Sequence, residues 1–129
     1  MSAITTHVLD AVLGKPAAGI SIRLETRQSF GWSEVSTGDE KAEREDEIAG
    51  EWATVSLSVT DADGRCRDLA QDVAQGFYRL TFFTGPYLKG RGRSTIYPEI
   101  SITFICAGEA HYHLPLLLSD NSYTTYRGS

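Results

Sequence analysis

The sequence predicts an all-β protein, an antiparallel β-sandwich. Several short segments alternate apolar and polar side chains with a period of two, turn-forming residues recur roughly every ten positions, and helical periodicity is nearly absent. At 129 residues, 41% hydrophobic and 22% charged, the chain suits one soluble domain with a modest core. No internal repeat is present.

The elements follow in chain order. Ile4 to Asp10 is rich in β-branched residues and free of Gly and Pro, and it exits through the turn chemistry of Gly14-Lys15-Pro16. Ile20 to Glu25 alternates strictly, with Ile20, Ile22 and Leu24 directed to a core and Ser21, Arg23 and Glu25 to water. Ser36 to Gly50 is charged and small, with Ile48 as its one large aliphatic, and reads as a solvated loop between two strands. Period-two patterning resumes from Trp52 through Val55, Leu57 and Val59 to Thr60. Asp61-Ala62-Asp63-Gly64 is a turn, because Asp side chains bond nearby amides and Gly64 accepts positive φ, and it projects Arg65. Phe77 to Phe83 is a further strand, followed by Gly85-Pro86 and one or two helical turns over Tyr87 to Gly90. Ile100 to Cys106 and His111 to Leu118 are strands joined by a Gly108-Glu109 hairpin turn. Pro115, with no amide donor, belongs at an edge or a bulge. Ser122 to Arg127 makes a last Tyr/Thr-rich strand.

Charge excludes some functions. The net charge of −5 leaves no basic footprint for nucleic acid. The excess is local: between Asp39 and Glu51 seven acidic residues face only Lys41 and Arg44, and the rest of the chain is balanced. Cys66 and Cys106 lack the spacing of a zinc site and are too few for a disulfide scaffold, so reduced, buried thiols are expected. No apolar run approaches the roughly 20 residues of a membrane span, and Met1 to Thr6 is too short and uncharged for a signal peptide. The expectation is a soluble, intracellular protein without membrane contact.

Imidazole chemistry rests on His7, His111 and His113. On a strand His111 and His113 point the same way, about 6.5 to 7 Å apart, and Tyr112 points opposite. The pair allows a zinc site only with a third ligand, and a His-Tyr-His strand is by residue type more often a polar face than a site. Arg65 is by default a surface arginine.

Thr5-Thr6-His7-Val8-Leu9-Asp10 with Gly14-Lys15-Pro16-Ala17, the turn Thr60 to Arg65, Tyr97-Pro98-Glu99-Ile100, His111-Tyr112-His113-Leu114-Pro115-Leu116-Leu117-Leu118-Ser119 and the closing Tyr126-Arg127-Gly128-Ser129 together resemble the 5-hydroxyisourate hydrolases, the transthyretin-like enzymes of purine catabolism. The resemblance spans nearly the whole chain, and the terminal tetrapeptide is its most specific part. It departs in the acidic stretch from about 36 to 52, which looks like an insertion in a loop of one transthyretin-like domain covering 1–129.

The resemblance implies a sandwich of two four-stranded sheets with one short helix, assembled as a homotetramer, a dimer of dimers with active sites in the channel between them. It implies ring opening of 5-hydroxyisourate to 2-oxo-4-hydroxy-4-carboxy-5-ureidoimidazoline in urate degradation. Its functional positions fall on His7, Arg65, His113 and Ser129 as catalytic residues, with Tyr126 and the neighbouring His111, beside His7 and Arg65, at the substrate. Base-activated water suffices at an activated acyl carbon, so neither metal nor cofactor is expected. Two other readings compete: a non-catalytic carrier using the same channel for a small ligand, and an interaction module working through the acidic loop. The compartment expected is the cytoplasm, with the peroxisome as the eukaryotic alternative; the Arg-Gly-Ser ending is not a Ser-Lys-Leu signal.

Overall fold

A computed structural model describes residues 2–27 and 51–128. The expected loop insertion therefore lies outside the described residues except for Glu51 and Trp52, and Ser129 lies outside them too. The strands are β1 (Ser2–Asp10), β2 (Lys15–Pro16), β3 (Ser21–Arg27), β4 (Trp52–Val59), β5 (Arg65–Val73), β6 (Gly76–Phe82), β7 (Ile100–Cys106), β8 (His111–Leu118) and β9 (Tyr123–Thr125). One helix, α1 (Thr84–Lys89), follows β6. No helix among the described residues is long and apolar enough to cross a membrane.

The strands form a sandwich. One sheet holds five strands, with β2, β1, β8 and β9 in order and β5 also on β1; the other holds β4, β3, β6 and β7. The fifth strand beyond the four expected is β2, two residues that the sequence presents only as a turn, paired through Leu9 with Pro16 and Asp10 with Lys15. The core lies between the sheets. Ile4 and Val8 of β1, Ile22 and Leu24 of β3, Leu80 and Phe82 of β6 and Leu116 and Leu118 of β8 meet there, each side chain following the alternation of its strand.

Three elements correct the sequence reading. The pairing of β1 with β8 is parallel over eight residues, from Ala3 with His111 to Asp10 with Leu118, where a wholly antiparallel sandwich was expected. The cause is the link after β7: Gly108 does turn the chain at positive φ, but β7 and β8 belong to different sheets, so the turn is a crossover and not a hairpin. A chain that changes sheets need not reverse beside its predecessor, and β8 runs alongside β1. Second, Arg65–Val73 is a strand, β5, although its polar sequence shows no alternation; bulges against β1 between Ser2 and Thr6 break the period. Third, β4 turns Val55, Leu57 and Val59 outward, while Ser56 and Ser58 face β5 and donate to the Leu69 carbonyl at 2.6 Å and to Asp68 Oδ1 at 2.7 Å.

Pro115 sits inside β8 between two neighbours, and the ladder opens at it. β8 pairs β9 from Leu116 with Thr125 to Leu118 with Tyr123, then meets the tail again only at the His113 to Gly128 bridge. Opposite Pro115, which has no amide to donate, Tyr126 is unpaired. The helix starts at Thr84, earlier than the expected Tyr87, and Pro86 is tolerated because the amides of a first turn need no intrahelical partner.

A buried polar network ties α1 and the following loop to the end of β1. Asp10 is completely buried and accepts from the amides of Val12 and Leu13, each at 3.1 Å, from Tyr87 Oη at 2.9 Å and from Arg93 Nη1 at 2.5 Å and Nη2 at 3.1 Å. Arg93 also holds Asp120 at 2.7 Å. Burial alone would raise the Asp10 carboxyl, but the bonds from Arg93, Leu13 and Tyr87 and the guanidinium charge outweigh it and hold the pKa at about 2.

Candidate functional site

The outward face of β1 carries Ala3, Thr5, His7 and Leu9, because the inward positions Ile4, Thr6, Val8 and Asp10 are buried. Register then sets the neighbours. β8 places His111 beside Ala3 and His113 beside Thr5, and β5 places Arg65 beside His7. Three strands far apart in sequence thus converge on one sheet face.

The imidazoles of His111 and His113 stack with centroids 6.2 Å apart and planes 24° from parallel. Thr5 lies between them: its Oγ1 is 2.9 Å from His111 Nε2 and 2.8 Å from His113 Nδ1. A partly buried His113 has its pKa lowered, first by loss of hydration and then by the charges of Arg65, His111 and His7. It is therefore a neutral imidazole at neutral pH. Its Cδ2 edge is covered by the C-terminal tail: the Gly128 amide donates to the His113 carbonyl at 2.7 Å, and a Cβ on Gly128 would come within 2.7 Å of His113 Cδ2. Only glycine fits there without displacing the ring.

His7 is held differently. Its Nε2 is 2.9 Å from the Asp63 carbonyl oxygen. A carbonyl only accepts, so Nε2 carries a proton, and the lone pair of the uncharged ring is on Nδ1. The Asp61 to Gly64 turn fixes that carbonyl. Asp61 Oδ1 accepts from the amides of Asp63 at 2.9 Å and Arg65 at 3.0 Å, which lowers its pKa. Gly64 at φ +76° presses on β1, where its missing Cβ would sit 2.3 Å from the Val8 carbonyl.

Thr5, Arg65, Arg67, His111 and His113, with Thr6 and Cys66 beneath, line an open depression of about 340 Å³. The guanidinium of Arg65 forms no ion pair among the described residues, and Arg67 has only a distant one, 3.9 Å from exposed Asp63. The depression is thus cationic and equipped with unspent donors. Among the described residues no three His, Cys, Asp or Glu side chains are grouped for a metal, and the third ligand that the His111–His113 pair would need is not beside it. Cys66 and Cys106 are both buried and unpaired, and burial pushes the Cys106 thiol up to about 11.

Of the residues singled out in the sequence, Arg65, His111 and His113 meet in the depression. His7 adjoins Arg65 by register but does not line it. Tyr126 is exposed on the tail outside it, and Ser129 is not among the described residues. Two contributors escape a reading by residue type. Thr5 looks like an ordinary β-branched strand residue until the register sets it against two imidazoles. Arg127 fastens the tail: it pairs with Glu109, donates to the His111 carbonyl at 3.4 Å and lies 4.7 Å from the centroid of the Tyr112 ring.

The sequence profile of the HIUase/Transthyretin family matches residues 4–128. The chain belongs to that family. The 5-hydroxyisourate hydrolase of Salmonella typhimurium is 37% identical over 129 residues, covering 98% of this chain and 80% of the relative. The mouse 5-hydroxyisourate hydrolase is 37% identical over 99% of this chain and 96% of its own length. Among solved structures, Klebsiella pneumoniae 5-hydroxyisourate hydrolase superposes with a TM-score of 0.74 at 29% identity, covering 100% of this chain and 94% of that one. Sea bream transthyretin in complex with thyroxine superposes at 0.78 with 27% identity, over 97% and 93%.

Proposed function

We propose that this protein is a hydrolase that opens 5-hydroxyisourate to 2-oxo-4-hydroxy-4-carboxy-5-ureidoimidazoline in urate degradation. The observation that carries the reading is the convergence of Arg65 and a neutral His113 with His7 on one outward sheet face, in a chain whose relatives at 37% identity are 5-hydroxyisourate hydrolases.

Ring opening needs a base for water, donors for the oxyanion and a proton for the departing nitrogen. An imidazole can serve first as base and then as acid, and His113 and His7 are the two imidazoles that bring this chemistry to the face. Arg65 offers planar, permanently charged donors to the carbonyl that becomes the oxyanion, and among the described residues no ion pair engages them. Tyr126 and His111 border the bound substrate, and Ser129 orients the nearest imidazole or the water. No cofactor enters the scheme. The depression is open on the single chain; the assembly is a homotetramer, a dimer of dimers, and the whole of 1–129 is one domain with the acidic stretch an insertion.

The likeness to a thyroxine-bound transthyretin favours a second reading, a carrier without chemistry. The polar lining of the depression argues for the hydrolase. The deciding experiment follows the ultraviolet absorbance of freshly generated 5-hydroxyisourate with wild type and with His113→Ala. Accelerated decay with wild type alone supports the hydrolase; decay at the spontaneous rate with folded wild type sinks it.

A further inference from the structure

Thr5 Oγ1 touches two imidazole nitrogens at once, at 2.9 Å and 2.8 Å. A hydroxyl has a single proton, so it donates to one of them and must accept from the other. Only two arrangements satisfy both contacts. In the first, Thr5 donates to His111 Nε2 and His113 donates from Nδ1–H, leaving His113 Nε2 as a lone pair toward the depression. In the second, Thr5 donates to His113 Nδ1, and His111 donates from Nε2–H.

We propose that Thr5 is a positioning residue that relays protons between His113 and His111, so that the positive charge formed when water is deprotonated rests on exposed His111 and not on His113. The inference rests on the hydrolase reading and deepens it. His113 is faced by Arg65 from β5, by His7 from β1 and by His111 on its own strand, with Arg67 on the same depression. A second cation at His113 would stand among these groups, partly buried. His111 is exposed and surrenders a proton to solvent directly.

The steps balance. Water adds its oxygen to the acyl carbon and gives one proton to His113 Nε2. The Nδ1 proton passes to Thr5 Oγ1, whose own proton passes to His111 Nε2, and His111 releases its Nδ1 proton to solvent. This converts the first arrangement into the second with every group neutral. When the acyl carbon to nitrogen bond breaks, His113 Nε2–H protonates the nitrogen. Thr5 returns a proton to Nδ1, His111 Nε2–H resupplies Thr5, and His111 regains a proton from solvent. The carboxylic acid formed ionises to water, which accounts for the second proton of the attacking molecule.

Thr5→Val keeps the shape and removes the hydroxyl, and Thr5→Ser restores it. The expected kcat falls about tenfold in Thr5→Val with KM nearly unchanged, and returns to within about threefold in Thr5→Ser. His111→Ala loses a similar factor, and added imidazole restores much of it, which a merely structural role does not predict. Independently of turnover, nitrogen-15 spectra of wild type should show neutral His113 in the Nδ1–H tautomer, and Thr5→Val should lose that preference. Wild-type kcat in Thr5→Val, a His111→Ala defect indifferent to imidazole, or a His113 tautomer unaffected by Thr5→Val would each overturn the relay. Failure of wild type to accelerate decay would instead remove the hydrolase reading, while the spectra still decide the hydroxyl bridge.

Discussion

Strand β1 serves two polar regions that differ in how completely their groups are bonded. At its end, inward-facing Asp10 is saturated by two amides, a phenol and a bidentate guanidinium, all supplied by the protein. On its outward side, His7 Nδ1 and the guanidinium of neighbouring Arg65 have no partner among the described residues. A buried charge left unmatched would cost several kcal/mol, so the inward region is closed on itself and is structural. The outward region leaves donors and acceptors that the described residues do not take up, so they are open to water or to a ligand.

The largest effect that would separate the two regions is expected from His113→Ala. Turnover should fall about 10² to 10⁴-fold with a melting temperature close to wild type, measured by absorbance decay beside a thermal melt. Asp10→Asn should do the reverse. Leaving Arg93 without its buried partner should cost about 3 kcal/mol of unfolding free energy, read by urea titration, with kcat of the folded fraction unchanged. If Asp10→Asn abolished turnover while stability held, the division between the regions would collapse.

Gly128→Ala tests how finely the outward face is set. The new methyl must push the His113 ring from its place, and about tenfold loss of kcat is expected, with little change in unfolding free energy. The smallest effect lies in pH. His113 works as a neutral base with a lowered pKa, so kcat/KM should hold to below the usual histidine range and fall only as His113 takes up a proton. Asp10 has its folded pKa depressed to about 2, so its stabilisation is full above the unfolded value of about 3.9 and drains away as pH falls toward 2. Between those two limbs the protein should be folded but inactive, which circular dichroism and activity profiles over the same pH range will show.

How much of this was legible depends on whether the deciding contact is local. Period two located β3 and β4, and strand geometry put His111 and His113 on one face of β8, because alternation follows from that geometry alone. The resemblance carried by the Thr5 to Asp10, Thr60 to Arg65 and Tyr126 to Ser129 segments gave His7, Arg65 and the tail their expected roles. β5 was hidden because its bulges against β1 erase the alternation in Arg65–Val73. The crossover after β7 was hidden because Gly108 signals a turn and carries no information about which sheet receives the next strand. Thr5 between two imidazoles and Arg93 on Asp10 depend on pairings across most of the chain, which no window of sequence contains.

The parallel pairing of β1 with β8 also governs when the site comes into being. Its two halves lie more than 100 residues apart, and loop closure over that separation is the slow part of folding a sandwich. A nascent chain that has not yet delivered His111–Leu118 has His7 and Arg65 but neither the second imidazole nor the bridge to Thr5. Catalytic competence therefore arrives only with the last long-range strand, so the onset of turnover during refolding is a clock for the docking of β8.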